Sequence, residues 1–100
     1  MAVTLKIHEL AHQELLDAIA WYNEIQSGLG KRFQETIMLQ IQKIKQHPTW
    51  FPRETIEVFK AYVPRFPYKI IYSVNDEAIT IWAIAHLHRK PSYWQSREKS

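Results

Sequence analysis

Among the second-half residues of types that hold phosphate or move protons, eight stand out as candidates: Arg65, Lys69, His86, His88, Arg89, Lys90, Tyr93 and Arg97. Arginine and lysine bring fixed positive charge to an anion or to charge that grows during a reaction. Histidine changes protonation near neutral pH. His86-Leu87-His88 sets two imidazoles on one strand face if the strand continues through Leu87. The pair reads in three ways: the start of a metal site, a general acid or base, or a hydrogen-bonding cap on the strand end. Zinc asks for three or four ligands, and neither cysteine nor a nearby carboxylate completes a set here, so no metal is expected. Capping is the plainer of the remaining two. Arg65, Lys69, Arg89, Lys90 and Arg97 together could cradle phosphate, and aromatic neighbours would suit stacked bases of single-stranded nucleic acid. A solvated run of charge is the alternative. Tyr93 and Trp94, after Pro91-Ser92, either dock the tail onto the core or present a phenol for acid–base work.

These residues hang on a hairpin. Two runs, Tyr68–Val74 and Ala78–Leu87, are rich in Ile, Val, Tyr and Trp, which suit a pleated, half-buried surface. Asn75-Asp76-Glu77 between them is turn chemistry. The second run is apolar on both faces, with Ile79, Ile81, Ala83 and Ala85 on one and Trp82 and Ile84 on the other, as a central strand requires.

Upstream, Val3–His8 alternates with period two and predicts a short strand. Ala11, Leu15, Ala18, Tyr22 and Ile25 recur at steps of three and four, predicting a helix over residues 10–26, with Glu14, Asp17 and Glu24 off its stripe. Ser27-Gly28-Leu29-Gly30 breaks it, and Gly28 suits the left-handed position that closes a helix. Phe33, Ile37, Ile41 and Ile44 stripe a second helix over residues 29–46, stopped at His47-Pro48. Residues 47–54 form an irregular link whose Trp50 and Phe51 are expected to plug the core edge. Thr55–Val63 predicts a strand, and Pro64 and Pro67 must sit at a strand end or edge.

The order β-α-α-β-β-β predicts an α+β fold. It has an N-terminal strand, an antiparallel helical hairpin, and a three-strand antiparallel run, forming one small sheet. The first strand is expected beside the last strands, and the helices on one face. The other face is then partly open, a natural ligand surface.

One hundred residues suit a single domain, 1–100, and 46% hydrophobic content argues against disorder. The absence of cysteine rules out a disulfide scaffold. No apolar run is long enough for a bilayer, and the first ten residues lack the apolar centre of a signal peptide, so a cytoplasmic protein without membrane contact is expected. Residues 1–59 carry six Lys/Arg against seven Asp/Glu, whereas residues 60–100 carry seven against three. The basic excess sits with the hairpin and tail, which suggests a polyanionic partner, either nucleic acid or an acidic protein segment.

An ordered set of residues carries a family resemblance. It runs through Ala18, Trp21-Tyr22, Gly28-Leu29-Gly30, Phe33, Pro48, Phe66-Pro67-Tyr68, Ile71-Tyr72, Ile81 to His86, Arg89, Pro91, Tyr93-Trp94 and Arg97. Over nearly its whole length the chain resembles the RelE/ParE superfamily, toxins of bacterial type II toxin–antitoxin modules, once called plasmid stabilisation proteins. The resemblance implies a growth-inhibiting toxin neutralised by a small acidic antitoxin, in a toxin–antitoxin hetero-oligomer. One branch of the family cleaves messenger RNA on the ribosome without metal or cofactor. By that likeness Arg89, His86, Tyr93, Lys69 and Arg65 would be catalytic, and Lys60, His88, Lys90 and Arg97 would bind nucleic acid. The other branch poisons DNA gyrase and needs no catalytic set. The endonuclease is the expected activity. Its alternatives are the gyrase inhibitor and a non-toxic nucleic-acid or protein binding module on the same fold.

Overall fold

The computed structural model describes residues 4–99, so Val3, expected to open the first strand, lies outside the described residues. The elements are β1 (Thr4–Ile7), α1 (Glu9–Ile25), α2 (Leu29–Gln46), β2 (Phe59–Tyr62), β3 (Tyr68–Asn75) and β4 (Ala78–His86), followed by a 3-10 segment, Gln95–Lys99. They form one four-stranded mixed sheet in the order β1-β4-β3-β2. The β2–β3 and β3–β4 pairs are antiparallel, while β1 lies parallel to β4. A parallel pair needs a long connection, and here the helical hairpin carries the chain from β1 to β2 on the far edge before β3 and β4 return.

The helix joint depends on its two glycines in different ways. Gly28 takes φ 89°, the left-handed region open to glycine. Gly30 is a matter of space. A Cβ there would lie 2.3 Å from the carbonyl oxygen of Ile19 and 2.7 Å from the Asn23 side chain. Asn23 Oδ1 accepts the Gly30 N–H at 2.8 Å, locking α2 against α1. Beyond the joint, the rings of Tyr22, Phe33, Phe66 and Tyr68 meet edge-on or tilted, with centroids 5.0–6.3 Å apart. That cluster continues through Leu15, Ile37, Ile41, Ile70, Tyr72, Ile79 and Ile81 as the core between helices and sheet.

The hairpin departs from simple alternation at one residue. Tyr72 pairs with Ile81, but Ile71 pairs with Ala83, so Trp82 is the extra residue of a β-bulge. A bulge swaps the faces that follow it. Ile79 and Ile81 point into the helix-side core, whereas Ala83 and Ala85 join the opposite cluster and Ile84 replaces them on the helix side. The sequence reading that put all four on one face is corrected accordingly.

The face away from the helices, expected to be partly open, is covered at its centre. Val58, Ile71, Ala83, Ala85 and Trp94 form a second buried cluster, with Trp82 and Tyr93 at its edge. Trp94 is 1% exposed, so the tail docks through this indole. Two further expectations are revised. Trp50 is 76% exposed and stacks on His47 at 3.7 Å rather than plugging the core, while Phe51 does pack against it. The strand expected over residues 55–63 is only Phe59–Tyr62, because the N–H groups of Glu54 and Thr55 both turn back to the Val58 carbonyl and leave Ile56 90% exposed.

Gly30→Ala should push α1 and α2 apart and lower stability by about 2 kcal/mol, an overpacking cost only partly offset by alanine's helix propensity. Gly28→Ala meets nothing within 4 Å and should cost about 1 kcal/mol of backbone strain. Urea unfolding of the two variants checks the ranking.

Candidate functional site

β1 stops at Ile7, and just beyond it the His8 N–H donates to the Ile81 carbonyl. Past that point, among the described residues, the outer edge of β4 has no strand beside it. Glu14, on the second turn of α1, reaches that edge. Its Oε1 accepts the Ile84 N–H at 3.1 Å. Its Oε2 accepts the Tyr93 hydroxyl at 2.7 Å. Arg97 closes the group with a fork, Nη1 to Oε1 at 2.9 Å and Nη2 to Oε2 at 3.0 Å, and Nη1 also donates to the Trp82 carbonyl. The Arg97 and Glu14 side chains are only 10% and 17% exposed. One carboxylate thus uses its full acceptor capacity to join α1, the bulged strand and the tail.

The node shapes the titration of its members. Burial raises the Tyr93 phenol well above its ordinary value, aided by the hydrogen bond to Glu14 and by that carboxylate's charge; the guanidiniums of Arg97 and Arg89 pull the other way and lose. Arg97 is raised too, chiefly by its hydrogen bonds to Glu14, against the opposing effect of burial. Tyr93 is therefore a proton donor held in place, ill suited to shuttle protons at neutral pH.

Arg89 follows β4 in a tight turn, its N–H bonded to the His86 carbonyl at 3.0 Å. Its guanidinium lies 3.9 Å over the Tyr93 ring, and that of Arg97 lies 5.0 Å from the same ring. The His86 ring is 5.1 Å from Tyr68 and 5.1 Å from His88. Nδ1 of His86 accepts the His88 N–H at 3.1 Å, the strand-end cap considered from sequence. A cleft of about 390 Å³ opens here between α1 and the strand ends, with Asp17, Trp21 and Ala18 on one side and Tyr68, His86 and Arg89 on the other.

Of the residues singled out from sequence, the fold brings His86, His88, Arg89, Tyr93 and Arg97 together. It separates Lys69, which points from β3 to the opposite face. There Lys69 Nζ bonds both oxygens of Glu54, at 3.0 and 3.1 Å, and Lys60 Nζ approaches the same carboxylate at 3.7 Å. Arg65 sits in the β2–β3 turn at φ 70°. The side chains of Arg65 and Lys90 are exposed and make no ion pair among the described residues. Glu14 and Glu54 were missed. Glu14 has a faint sequence signal: it stands three residues after Ala11 and four before Ala18, bordering the stripe beside small residues that leave a carboxylate room.

No family model matches this sequence, and no curated protein matches it. Solved structures do match in shape. One is a chain of the chromosomal ParDE toxin–antitoxin system of P. aeruginosa, with a TM-score of 0.75 at 19% identity, covering 84% of this chain and 95% of that one. The fold is shared with that chain and with the toxin RelE. A mutant of the E. coli toxin RelE in the free state has a TM-score of 0.71 at 16% identity, covering 99% of this chain and 98% of that one. The same mutant in complex with an antitoxin RelBc peptide has a TM-score of 0.66 at 17% identity, covering 96% and 95%.

Glu14→Ala should lower stability by about 3–5 kcal/mol, since it strands a buried guanidinium, a phenol and a strand-edge N–H together. Urea unfolding reads the loss. Alkaline pH gives a second check. In the fold, the phenols of Tyr93 and Tyr72 keep their protons above the ordinary value near 10. Above about pH 10 the unfolded chain has released protons that the native chain retains, so stability is full below that pH and falls as pH rises further. Tyr93→Phe should make the fall shallower in urea midpoints taken across pH 9–11.

Proposed function

We propose that this chain is the growth-arresting toxin of a two-component toxin–antitoxin module. The observation that carries the reading is the likeness over nearly the full length of both chains to RelE, shared with a chain of a ParDE system. The partner would be a small acidic antitoxin, and the RelE complex with an antitoxin peptide supports an antitoxin partner here. The basic excess beyond residue 59 suits such a partner. No helix among the described residues is long and apolar enough to cross a membrane, and the targets implied by the resemblance would place the chain in the cytoplasm.

On mechanism we infer inhibition by binding, with DNA gyrase the target that the resemblance suggests. The support is the distribution of charge. A metal-free nuclease would gather several uncompensated cations around the scissile phosphate. Here Lys60 and Lys69 share Glu54, and Arg97 and Tyr93 are engaged by Glu14. Arg89 and His86 at the cleft are the residues through which the chain would meet its target. One observation favours the ribosome-dependent nuclease instead: His86 stands beside Arg89, so a proton carrier and a phosphate ligand are neighbours.

Inducing the gene alone should arrest growth, and co-expressing the adjacent small gene should restore it. Unimpaired growth with abundant soluble protein would leave only a binding module on this fold. Arg89→Ala should raise the amount needed for half-maximal arrest by about tenfold, as for a charged contact of about 1.4 kcal/mol, without lowering the urea midpoint. Mapping 5′ ends of messenger RNA soon after induction separates the mechanisms. Intact message with impaired supercoiling by purified gyrase supports binding, and codon-phased new ends support the nuclease.

A further inference from the structure

We infer that Tyr93 is a positioning residue: its ring is the platform that holds the Arg89 guanidinium at the mouth of the cleft. The inference deepens the proposed function and rests on Arg89 being the target contact. Arg89 is exposed, follows the end of β4, and makes no ion pair among the described residues. A long cationic side chain in that setting samples many rotamers, and each must be given up on binding. The Tyr93 ring removes that freedom beforehand. Arg89 Cζ lies 3.9 Å from its centroid, well within the range at which a guanidinium is attracted by a ring face.

The platform is itself immobile. The Tyr93 hydroxyl donates to Glu14 Oε2 at 2.7 Å, and Glu14 is held by the Ile84 N–H and the Arg97 fork. Arg97 also lies 5.0 Å from the ring, but its charge is matched by Glu14. Two guanidiniums therefore meet one ring, and only the charge of Arg89 is left for a ligand. An anionic group, phosphate or carboxylate, is what this arrangement is built to receive. The chain Glu14, Tyr93, Arg89 ties the cation's position to α1, although Arg89 belongs to the turn after β4.

Two substitutions separate the ring from the hydroxyl. Tyr93→Phe keeps the ring and gives up the bond to Glu14, so it should lose stability yet keep the Arg89 guanidinium over the ring. Tyr93→Leu keeps an apolar side chain in the cluster and removes the platform. It should need about threefold to tenfold more toxin for half-maximal arrest, the loss expected when a cation–π contact goes. The Nε–H resonance of Arg89 in the purified protein, assigned by its loss in Arg89→Lys, gives a readout that stability alone does not move. It should be shifted by the ring current in the wild type and in Tyr93→Phe, and return to the position of a solvated arginine in Tyr93→Leu. An unshifted wild-type resonance overturns the inference. So does Tyr93→Leu with full potency, or Tyr93→Phe with the unshifted Arg89 resonance expected of Tyr93→Leu. If the wild type arrests nothing, the toxin reading fails, and the resonance still decides whether the ring holds Arg89.

Discussion

A single carboxylate, Glu14, holds the architecture of the functional end together. β1 is four residues long and cannot cover the whole edge of the nine-residue β4. A strand edge left in a partly buried place has backbone groups that must find partners. Glu14 takes the Ile84 N–H, and the Arg97 guanidinium takes the Trp82 carbonyl. The two side chains thus act as a substitute for the missing length of β1, and they neutralise each other while doing so. Burying an ion pair is costly unless its remaining hydrogen-bond capacity is filled. Here it is filled by the strand edge and by the Tyr93 hydroxyl.

The bulge at Trp82 and the tail answer one another. By turning Ala83 and Ala85 to the face away from the helices, the bulge leaves small residues there against which a large indole can lie. Trp94 fills that space, and its Nε1–H donates back to the Pro91 carbonyl at 3.0 Å, so its one polar atom is satisfied within the tail. Trp82 Nε1–H donates to Ser73 Oγ at 2.8 Å across the sheet. The tail is consequently part of the core and brings Tyr93 and Arg97 to Glu14 as a matter of packing. The same packing sets where Arg89 can lie.

Charge in this molecule is divided by the sheet. On one face Glu54 gathers Lys60 and Lys69; at the far end of β4, Glu14 gathers Arg97. These pairs convert much of the basic excess of the second half into internal structure. Among the described residues beyond residue 59, the cations left without an ion pair are Arg65, Arg89 and Lys90, at or beside turns. Cations on turns are well placed to meet a partner, while cations paired within the sheet are not.

The element order, both helices, the hairpin and its turn were legible in the sequence because they rest on local periodicity and on Gly28, Pro48 and Asn75-Asp76. The pairing of β1 beside β4 was legible as a neighbour relation. The bulge was not, because Ile79, Ile81, Ala83 and Ala85 alternate without a break and only the partner strand shows that Trp82 is unpaired. The clustering of His86, Arg89, Tyr93 and Arg97 near one strand end could be read from their closeness in sequence. Which cations are already neutralised could not. Glu14 meets Arg97 across eighty-three positions and Glu54 meets Lys69 across fifteen. Local pattern determines whether a residue lies on a helix or a strand, but the partner of a charge depends on which surfaces the fold presses together, and only the tertiary structure decides that.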